Sequence, residues 1–101
     1  VVVRDECLEE YPNLAADLFR ALTTSKKAYL DGLDRNGDLS AEDALTVELE
    51  TGVAGDPFPY GVESNRKALE ALTQTAFDQH ITPNKMTVEE LFPESTLGLE
   101  G

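Results

Sequence analysis

The stretch that decides the fold is residues 56–66, which read DPFPYGVESNR. Each of its two prolines fixes the backbone angle φ and removes an amide donor, so the segment cannot form a helix or a central strand. It must be an ordered turn, and aromatic side chains in an ordered turn need neighbours to pack against. We call residues 56–61 the proline-aromatic corner.

Before the corner, the sequence predicts a long amphipathic helix over residues 12–33. Its apolar side chains recur every three or four residues, and Pro12 suits the first turn. The acidic residues 5–10 are consistent with one or two helical turns. Val1–Val3 is β-branched but too short to stand alone, and we interpret it as a short strand remnant.

A second helix is predicted after the turn dipeptide at residues 36–37. Ser40 suits its N-cap, with Asp43 completing a shorter version of the capping box. We expect the helix to run to residue 51 and to end at Gly52. Its apolar residues share one face, which we expect to be buried: Ala41, Leu45 and Leu49.

After the corner, Ser64 is the predicted N-cap of a third helix that ends before Pro83. Its expected buried side consists of Ala68, Leu69, Leu72, Ala76 and His80. Thr87–Glu90 is a capping box that predicts a last short helix, with Leu91 and Phe92 facing inward and Pro93 ending it. The tail from Glu94 is expected to be loose.

These elements predict one all-α or mainly α domain over residues 1–101, with three to five helices and the short N-terminal strand remnant. The chain has 20 acidic and 8 basic residues, a net charge of −12. That balance argues against nucleic-acid and anionic-membrane partners. No apolar run approaches the ~20 residues of a membrane span. The lone Cys7 is typical of a reducing compartment, so we expect a cytoplasmic protein.

Two motifs suggest chemistry, and each has a plainer interpretation. Residues 34–38, DRNGD, match the first ligands of a calcium loop, but Leu39 and Leu45 stand where glycine and a bidentate acid are required. A polar turn between helices is the better interpretation, and we expect no metal and no cofactor. The single histidine, His80, lies at a helix end and is a candidate general base or a simple capping cation.

Arg66 is the most interesting cation because it opens a helix beside the corner, where its charge opposes the helix dipole. A carboxylate should compensate, and Asp56 and Glu63 are the candidates. The alternatives are a structural ion pair and a contact to an anionic ligand, since arginine can clamp a carboxylate with two hydrogen bonds.

Three segments resemble the C-terminal part of the 4,5-dihydroxyphthalate decarboxylase family: residues 56–70 (DPFPYGVESNRKALE), residues 87–92 (TVEELF) and residues 1–12 (VVVRDECLEEYP). The family is similar to type-II periplasmic-binding proteins, with two α/β lobes around a cleft, and its members are about three times this length. The stretch 34–53 departs from the family pattern because it lacks the expected tryptophan and proline.

The resemblance implies that this chain is the C-terminal third of a larger lyase that removes one carboxylate from a dihydroxylated aromatic diacid. It implies Tyr60, Asn65 and Arg66 as groups at the edge of the substrate pocket, with catalytic residues unassigned. The isolated chain is expected to be inactive. Two alternatives stay open: part of a solute-binding protein of an ABC-type transporter, and a small acidic interaction domain that self-associates.

Overall fold

The computed structural model describes residues 1–53 and 55–101. Four α-helices follow one another: α1, Asp5–Glu10; α2, Leu14–Gly32; α3, Ala41–Val53; and α4, Val62–Asp78. Two 3₁₀ turns, Glu89–Leu91 and Glu94–Thr96, follow α4. Within the described ranges no strand forms, and one isolated antiparallel bridge joins Gly61 to Glu100. The mainly α fold class is therefore confirmed.

The N-terminal strand remnant does not form. Val1–Val3 has no regular secondary structure, and Val1 and Val2 are 96% and 98% exposed. A strand needs a neighbour to pair with its backbone, and no strand lies beside this segment in the described part of the chain.

Helix α2 is the scaffold of the fold, and it begins two residues later than predicted. The Leu14 amide donates to the Tyr11 carbonyl at 2.9 Å, which places Pro12 in the turn between α1 and α2 instead of in the first helical turn. The apolar stripe of α2 packs against α1 and against the second 3₁₀ turn. The long central helix is thus confirmed with slightly shorter bounds.

The predicted capping of α3 is confirmed. The Asp43 amide donates to Ser40 Oγ at 3.1 Å, and the Ser40 hydroxyl donates to the Asp43 carboxylate at 2.8 Å. The predicted end at Gly52 is wrong, because the helix continues through this glycine to Val53. Gly52 has open space around it and is not forced into a left-handed conformation.

The predicted buried face of α3 is also wrong. Leu45 is 56% exposed and Leu49 is 39% exposed, whereas the polar Thr46 is 6% exposed. The reason is a set of polar contacts to α2. The Tyr29 hydroxyl donates to Asp43 Oδ1 at 2.6 Å and lies 3.3 Å from Thr46 Oγ1. These contacts turn the polar face of α3 towards α2 and leave the apolar face outside.

Helix α4 begins at Val62, so Ser64 lies inside its first turn and is not the N-cap. Gly61 is the N-cap residue, with φ at +121°. Among the described residues, no side chain caps this N-terminus. The side-chain amide of Asn65, at the end of the first turn, reaches back and donates to the carbonyl oxygens of Pro59 at 2.8 Å and Gly61 at 2.9 Å, which ties the corner to α4.

The buried side of α4 differs from the predicted one by about one residue step. Val62 and Thr73, which were not predicted to be buried, are buried. Leu69 and Ala76, which were, are partly buried. Leu72, however, is 59% exposed, and Ala68 and His80 are exposed. The start of α4 lies earlier than predicted, at Val62. Its buried side is set by packing against distant parts of the chain, which the spacing of its apolar residues does not reveal.

The end of α4 is set by His80 and not by Pro83. The Ile81 amide donates to the Ala76 carbonyl at 2.8 Å, and the His80 amide donates to the Phe77 carbonyl at 3.0 Å. This pair of bonds defines a Schellman motif, which requires a left-handed residue at the position of His80. Its φ is 59°, an uncommon angle for a residue other than glycine.

The predicted loose tail is wrong, because residues 94–101 fold back onto the corner. Tyr60 and Gly101 exchange backbone hydrogen bonds, at 2.6 Å from the Tyr60 amide and 3.0 Å from the Gly101 amide. The Thr87–Glu90 capping box before the tail is confirmed, with the Thr87 amide donating to the Glu90 carboxylate at 2.6 Å.

The core of the molecule is small. Among the described residues, the buried apolar side chains are Ala15, Val62 and Val88. The radius of gyration is 16.6 Å, and the extents are 49 × 34 × 21 Å. A globular domain of this length has a radius of gyration of about 13 Å, so the chain is extended. Much of its apolar surface therefore remains accessible.

Candidate functional site at the proline-aromatic corner

The proline-aromatic corner is fastened to α2 by Lys26. The Lys26 ammonium lies 2.5 Å from Asp56 Oδ2 and donates to the Phe58 carbonyl at 3.0 Å. It also lies 4.5 Å from the centre of the Tyr60 ring, within the range of a cation–π interaction. Its side chain is only 8% exposed. The hydrogen bond from Lys26 lowers the pKa of the Asp56 carboxyl, so this carboxyl is ionised at neutral pH.

The Tyr60 ring joins the corner to the apolar stripe of α2. It meets Phe19 edge to face, with ring centres 6.5 Å apart. The Tyr60 backbone is bonded to Gly101, and Gly101 in turn packs against the Thr23 side chain. The corner, α2 and the tail therefore form one connected unit.

A groove of about 440 Å³ lies beside this unit. Its floor comes from the apolar face of α2, and its sides come from the N-terminal segment, the start of α4 and the region around the two 3₁₀ turns. The apolar side chains on its walls include Leu8, Leu18, Phe19, Leu22, Leu91 and Phe92. This volume falls within the range of small-molecule sites.

The ionisable side chains that line the groove are both acidic, Asp5 and Glu90. Hydrogen bonds from the Thr87 amide and hydroxyl lower the pKa of the Glu90 carboxyl, so it carries a negative charge at neutral pH. No Lys, Arg or His side chain of the described residues lines the groove. The groove can hold an apolar or aromatic group, but its own charges oppose a carboxylate.

Arg66 lies outside this groove and is held by carboxylates. Its guanidinium reaches Glu63 at 2.6 Å and Glu89 at 2.9 Å. The hydrogen bonds to Glu63 and then to Glu89 raise the pKa of Arg66 above its ordinary value, which keeps the group fully cationic. Of the two partners proposed from the sequence, Glu63 is present, whereas Asp56 is paired with Lys26.

Arg66 lines a second, shallow depression together with Lys67 and Lys85. Its volume is about 690 Å³, and it lies between α4 and the segment before the first 3₁₀ turn. Glu70 and Glu89 line the same depression. The three cations therefore share a surface with carboxylates that compete with any external anion.

The three predicted pocket-edge residues are thus divided between two surfaces. Tyr60 belongs to the corner, where its ring packs on Phe19, and Asn65 in α4 bonds to the corner through the Pro59 carbonyl. Arg66 follows Asn65 by one residue in the chain but lines the second depression. Any ligand contact by Asn65 or Arg66 has to replace hydrogen bonds that these groups already make within the chain.

The other candidates from the sequence remain apart from both surfaces. His80 is exposed, and its imidazole makes no hydrogen bond in the described ranges. In the loop at residues 34–38, Asp34 Oδ1 accepts from the Asn36 amide at 3.3 Å, the geometry of a polar turn. In the residues that the structure describes, no group of three or more His, Cys, Asp or Glu side chains is arranged to hold a metal ion.

Lys26 is a functional residue of the corner that the sequence analysis did not single out. The sequence does contain a feature that indicates a partner for Lys26. Lys26 follows Phe19 by seven residues, about two helical turns, so it lies on the apolar face of α2. A lysine on an apolar face needs an anionic or aromatic partner, and the corner supplies both.

No protein-family model, curated protein or solved structure matches this chain. Within the described residues, none of the helices combines the length and apolar character needed to cross a bilayer.

Proposed function

We propose that the chain is the C-terminal helical domain of a cytoplasmic lyase similar to 4,5-dihydroxyphthalate decarboxylases, acting on a dihydroxylated aromatic diacid. The observation that supports this proposal is the rigid corner beside an apolar groove. The corner lies within residues 56–70, the segment that carries the strongest resemblance to the family. The proline and aromatic residues that contribute to this resemblance are the ones that form the ordered corner.

In this proposal the chain supplies an apolar wall for the aromatic ring of the substrate and does not anchor its carboxylates. The groove is lined by apolar side chains and by the carboxylates Asp5 and Glu90, which repel a dianion. Arg66 is already paired with Glu63 and Glu89. The cations that hold the substrate carboxylates therefore lie outside these 101 residues.

The reaction breaks the bond between one carboxylate carbon and the ring, releases carbon dioxide and returns the electron pair to the ring carbon. A protonated group then delivers a proton to that carbon. A dry apolar site favours loss of the charged carboxylate. The groove provides the apolar surface, but none of its lining side chains is placed as a proton donor to a bound ring.

The proposal is tested by comparing this chain with the longer reading frame that contains it. Each is incubated with 4,5-dihydroxyphthalate, and both the release of carbon dioxide and the appearance of dihydroxybenzoate are measured. We expect one equivalent of each product from the longer protein and none from the 101-residue chain. A dihydroxybenzoate substrate, which lacks the second carboxylate, is the matched control.

Turnover by the chain alone would contradict the proposal, since it would require a complete active site within the described surfaces. A reading frame that encodes nothing beyond these residues would also contradict it. A second candidate function, an interaction domain, is favoured by the exposed apolar side chains Leu45, Leu49 and Val53 on α3.

A further inference from the structure

Helix α3 exposes a continuous apolar stripe that nothing in the described structure covers. Leu45, Leu49 and Val53 are spaced four residues apart and are 56%, 39% and 58% exposed. Side chains at this spacing lie one above another on one face of a helix. Over eight residues the stripe extends for roughly 12 Å along the helix axis. Isolated exposed leucines are ordinary on a protein surface, but an aligned set on one helix is not.

The charges beside the stripe all have one sign. Glu42 and Glu48 are exposed, and α3 contains no basic residue. By the helical repeat, Glu42 continues the line of the stripe one turn before Leu45, and Glu48 lies on one flank of the stripe. The other two acidic residues of α3 face the opposite way, where Asp43 bonds to Tyr29 and Glu50 bonds to Arg35 at 2.7 Å. The stripe is therefore an apolar surface bordered by carboxylates at its N-terminal end and along one flank.

We propose that this stripe is a docking site for a cationic amphipathic helix, in which an apolar stripe contacts Leu45, Leu49 and Val53 while lysine or arginine side chains flank it. Helices that dock in this way use apolar anchors at three- and four-residue spacing. Charges on the border select the partner by complementarity. The proposal does not depend on the lyase activity proposed above, because it concerns a different surface.

A second copy of this chain is a poor occupant by the same reasoning. Packing α3 against α3 of another copy would bring Glu42 and Glu48 of one chain close to their equivalents in the other. Each chain carries a net charge of −12, so this approach is repulsive at long range as well. A cationic helix avoids both the local and the long-range repulsion, and it neutralises the carboxylates beside the stripe.

The test uses the full 101-residue chain and three fluorescent synthetic peptides of equal length. The first peptide has leucines at helical spacing flanked by lysines. The second replaces each lysine with glutamate, and the third keeps the composition of the first but scrambles the leucine positions. Binding is measured by fluorescence anisotropy at low and high salt. We expect binding of the first peptide only, weakened at high salt because the border charges are screened.

Two double variants locate the binding surface. Leu45→Gln with Leu49→Gln removes the apolar anchors, and we expect at least a tenfold loss of affinity. The matched control is Leu72→Gln with Ile81→Gln, which changes two side chains that are 59% and 72% exposed on other parts of the chain. We expect the control to bind within a factor of two of the unchanged protein. All four positions are exposed, so neither variant should fail to fold, and circular dichroism verifies this.

Equal binding of the scrambled peptide would overturn the proposal, because attraction between opposite net charges would then explain the affinity. Unchanged binding by the Leu45/Leu49 variant would also overturn it. Sedimentation equilibrium adds a third outcome. Self-association that the same variant abolishes would show that a second copy occupies the stripe, and the proposed cationic partner would be wrong.

Discussion

Helix α2 holds two neighbours through side chains three residues apart, and it holds them in different ways. Lys26 secures the proline-aromatic corner through a nearly buried side chain that contacts a carboxylate, a carbonyl and an aromatic ring. Tyr29 secures α3 through an exposed hydrogen bond to Asp43 and a part-buried one with Thr46. The second link to α3, the Arg35–Glu50 pair, is also open to solvent, with the arginine side chain 43% exposed.

The difference shows how the position of a polar contact determines what it stabilises. Ion pairs and hydrogen bonds at the surface compete with water and add little to the free energy of unfolding. When the same groups are shielded from water, they add more, and removing one partner destabilises the fold more strongly. We therefore expect the corner, α2 and the tail to unfold as one cooperative unit. Helix α3, whose apolar face is not packed, should open locally at a lower free energy.

The largest expected effect comes from Gly61→Ala, which breaks the unit at the corner. Gly61 has a φ of +121°, and an added Cβ would meet the Leu99 carbonyl oxygen at 2.6 Å. Both the backbone strain and the collision disfavour the folded state, so we expect a loss of about 2–3 kcal/mol in the free energy of unfolding. Urea denaturation followed by circular dichroism measures it.

Gly98→Ala is the control for that substitution because it lies in the same tail but has open space where a Cβ would be added. We expect a change within about 0.5 kcal/mol. Similar losses from the two substitutions would mean that the positive φ of Gly61 and its close approach to Leu99 are not the cause of the destabilisation.

The next largest effect is expected from Lys26→Met, which keeps the apolar stem and removes the charge that holds the corner. The substitution loses the pair with Asp56, the bond to the Phe58 carbonyl and the contact with the Tyr60 ring. We expect a loss of about 1–2 kcal/mol at neutral pH. Lys27→Met is the control, because the Lys27 side chain is 76% exposed and pairs only with Asp31.

The effect of Lys26→Met should depend on pH with a defined sign. The pKa of Asp56 is lowered from 3.8 by Lys26, so the folded state favours the ionised carboxyl. The stabilisation by this pair is complete above the unfolded pKa and is lost as the pH falls through the lower, folded pKa. The difference in the free energy of unfolding between the wild type and the variant should therefore become smaller below about pH 4. A difference that widens there would contradict the assignment.

The sequence predicted the helices well because local rules control them. The Ser40 and Thr87 caps are short-range hydrogen bonds, and both are present. The prolines of the corner excluded helix and strand through their own covalent geometry. Where the local rule was incomplete, the bounds were wrong: α4 begins after Gly61, which has a φ of +121°, and not after Ser64.

The orientation of α3 could not be predicted from the sequence, because it depends on contacts between distant residues. The spacing of Leu45 and Leu49 indicated a buried face, whereas Tyr29 turns the opposite face towards α2. The docking of the tail is similar. Nothing near Gly101 in the sequence shows that its backbone pairs with Tyr60, forty-one residues away. The separation of Arg66 from the groove follows from the same kind of long-range packing.

His80→Gly is expected to raise the free energy of unfolding, by less than Gly61→Ala and Lys26→Met lower it. The Schellman motif at the end of α4 holds His80 at a φ of 59°, where a side chain is unfavourable. Glycine removes that strain but gains freedom in the unfolded chain, so we expect a net stabilisation of roughly 0.5–1 kcal/mol. Because His80 belongs neither to the corner nor to α3, exchange rates in α3 should not change.

Gln79→Gly is the control for this position. Gln79 precedes His80 and has a φ of −88°, which any residue adopts, so glycine there brings only the entropic penalty. We expect a small destabilisation. A stabilisation by both substitutions would mean that the strain at His80 is not the cause.

The smallest global effect is expected from Tyr29→Phe, which removes only the hydroxyl that links α2 to α3. This hydroxyl is the main cause of the lowered pKa of Asp43, which should rise towards its ordinary value in the variant. Hydrogen exchange in α3 should become roughly two- to tenfold faster, as expected for the loss of one or two weak hydrogen bonds, while α2 and α4 keep their rates.

Tyr11→Phe is the matched control, because Tyr11 is 58% exposed and its hydroxyl makes no hydrogen bond in the described ranges. If Tyr29→Phe speeds exchange throughout the molecule, α3 belongs to the same cooperative unit as the corner, and the contrast between the two regions is wrong. If only α3 responds, its apolar stripe is carried by an element that opens independently. A helical partner docked on that stripe would then slow the exchange of α3 specifically, which connects this measurement to the peptide experiment.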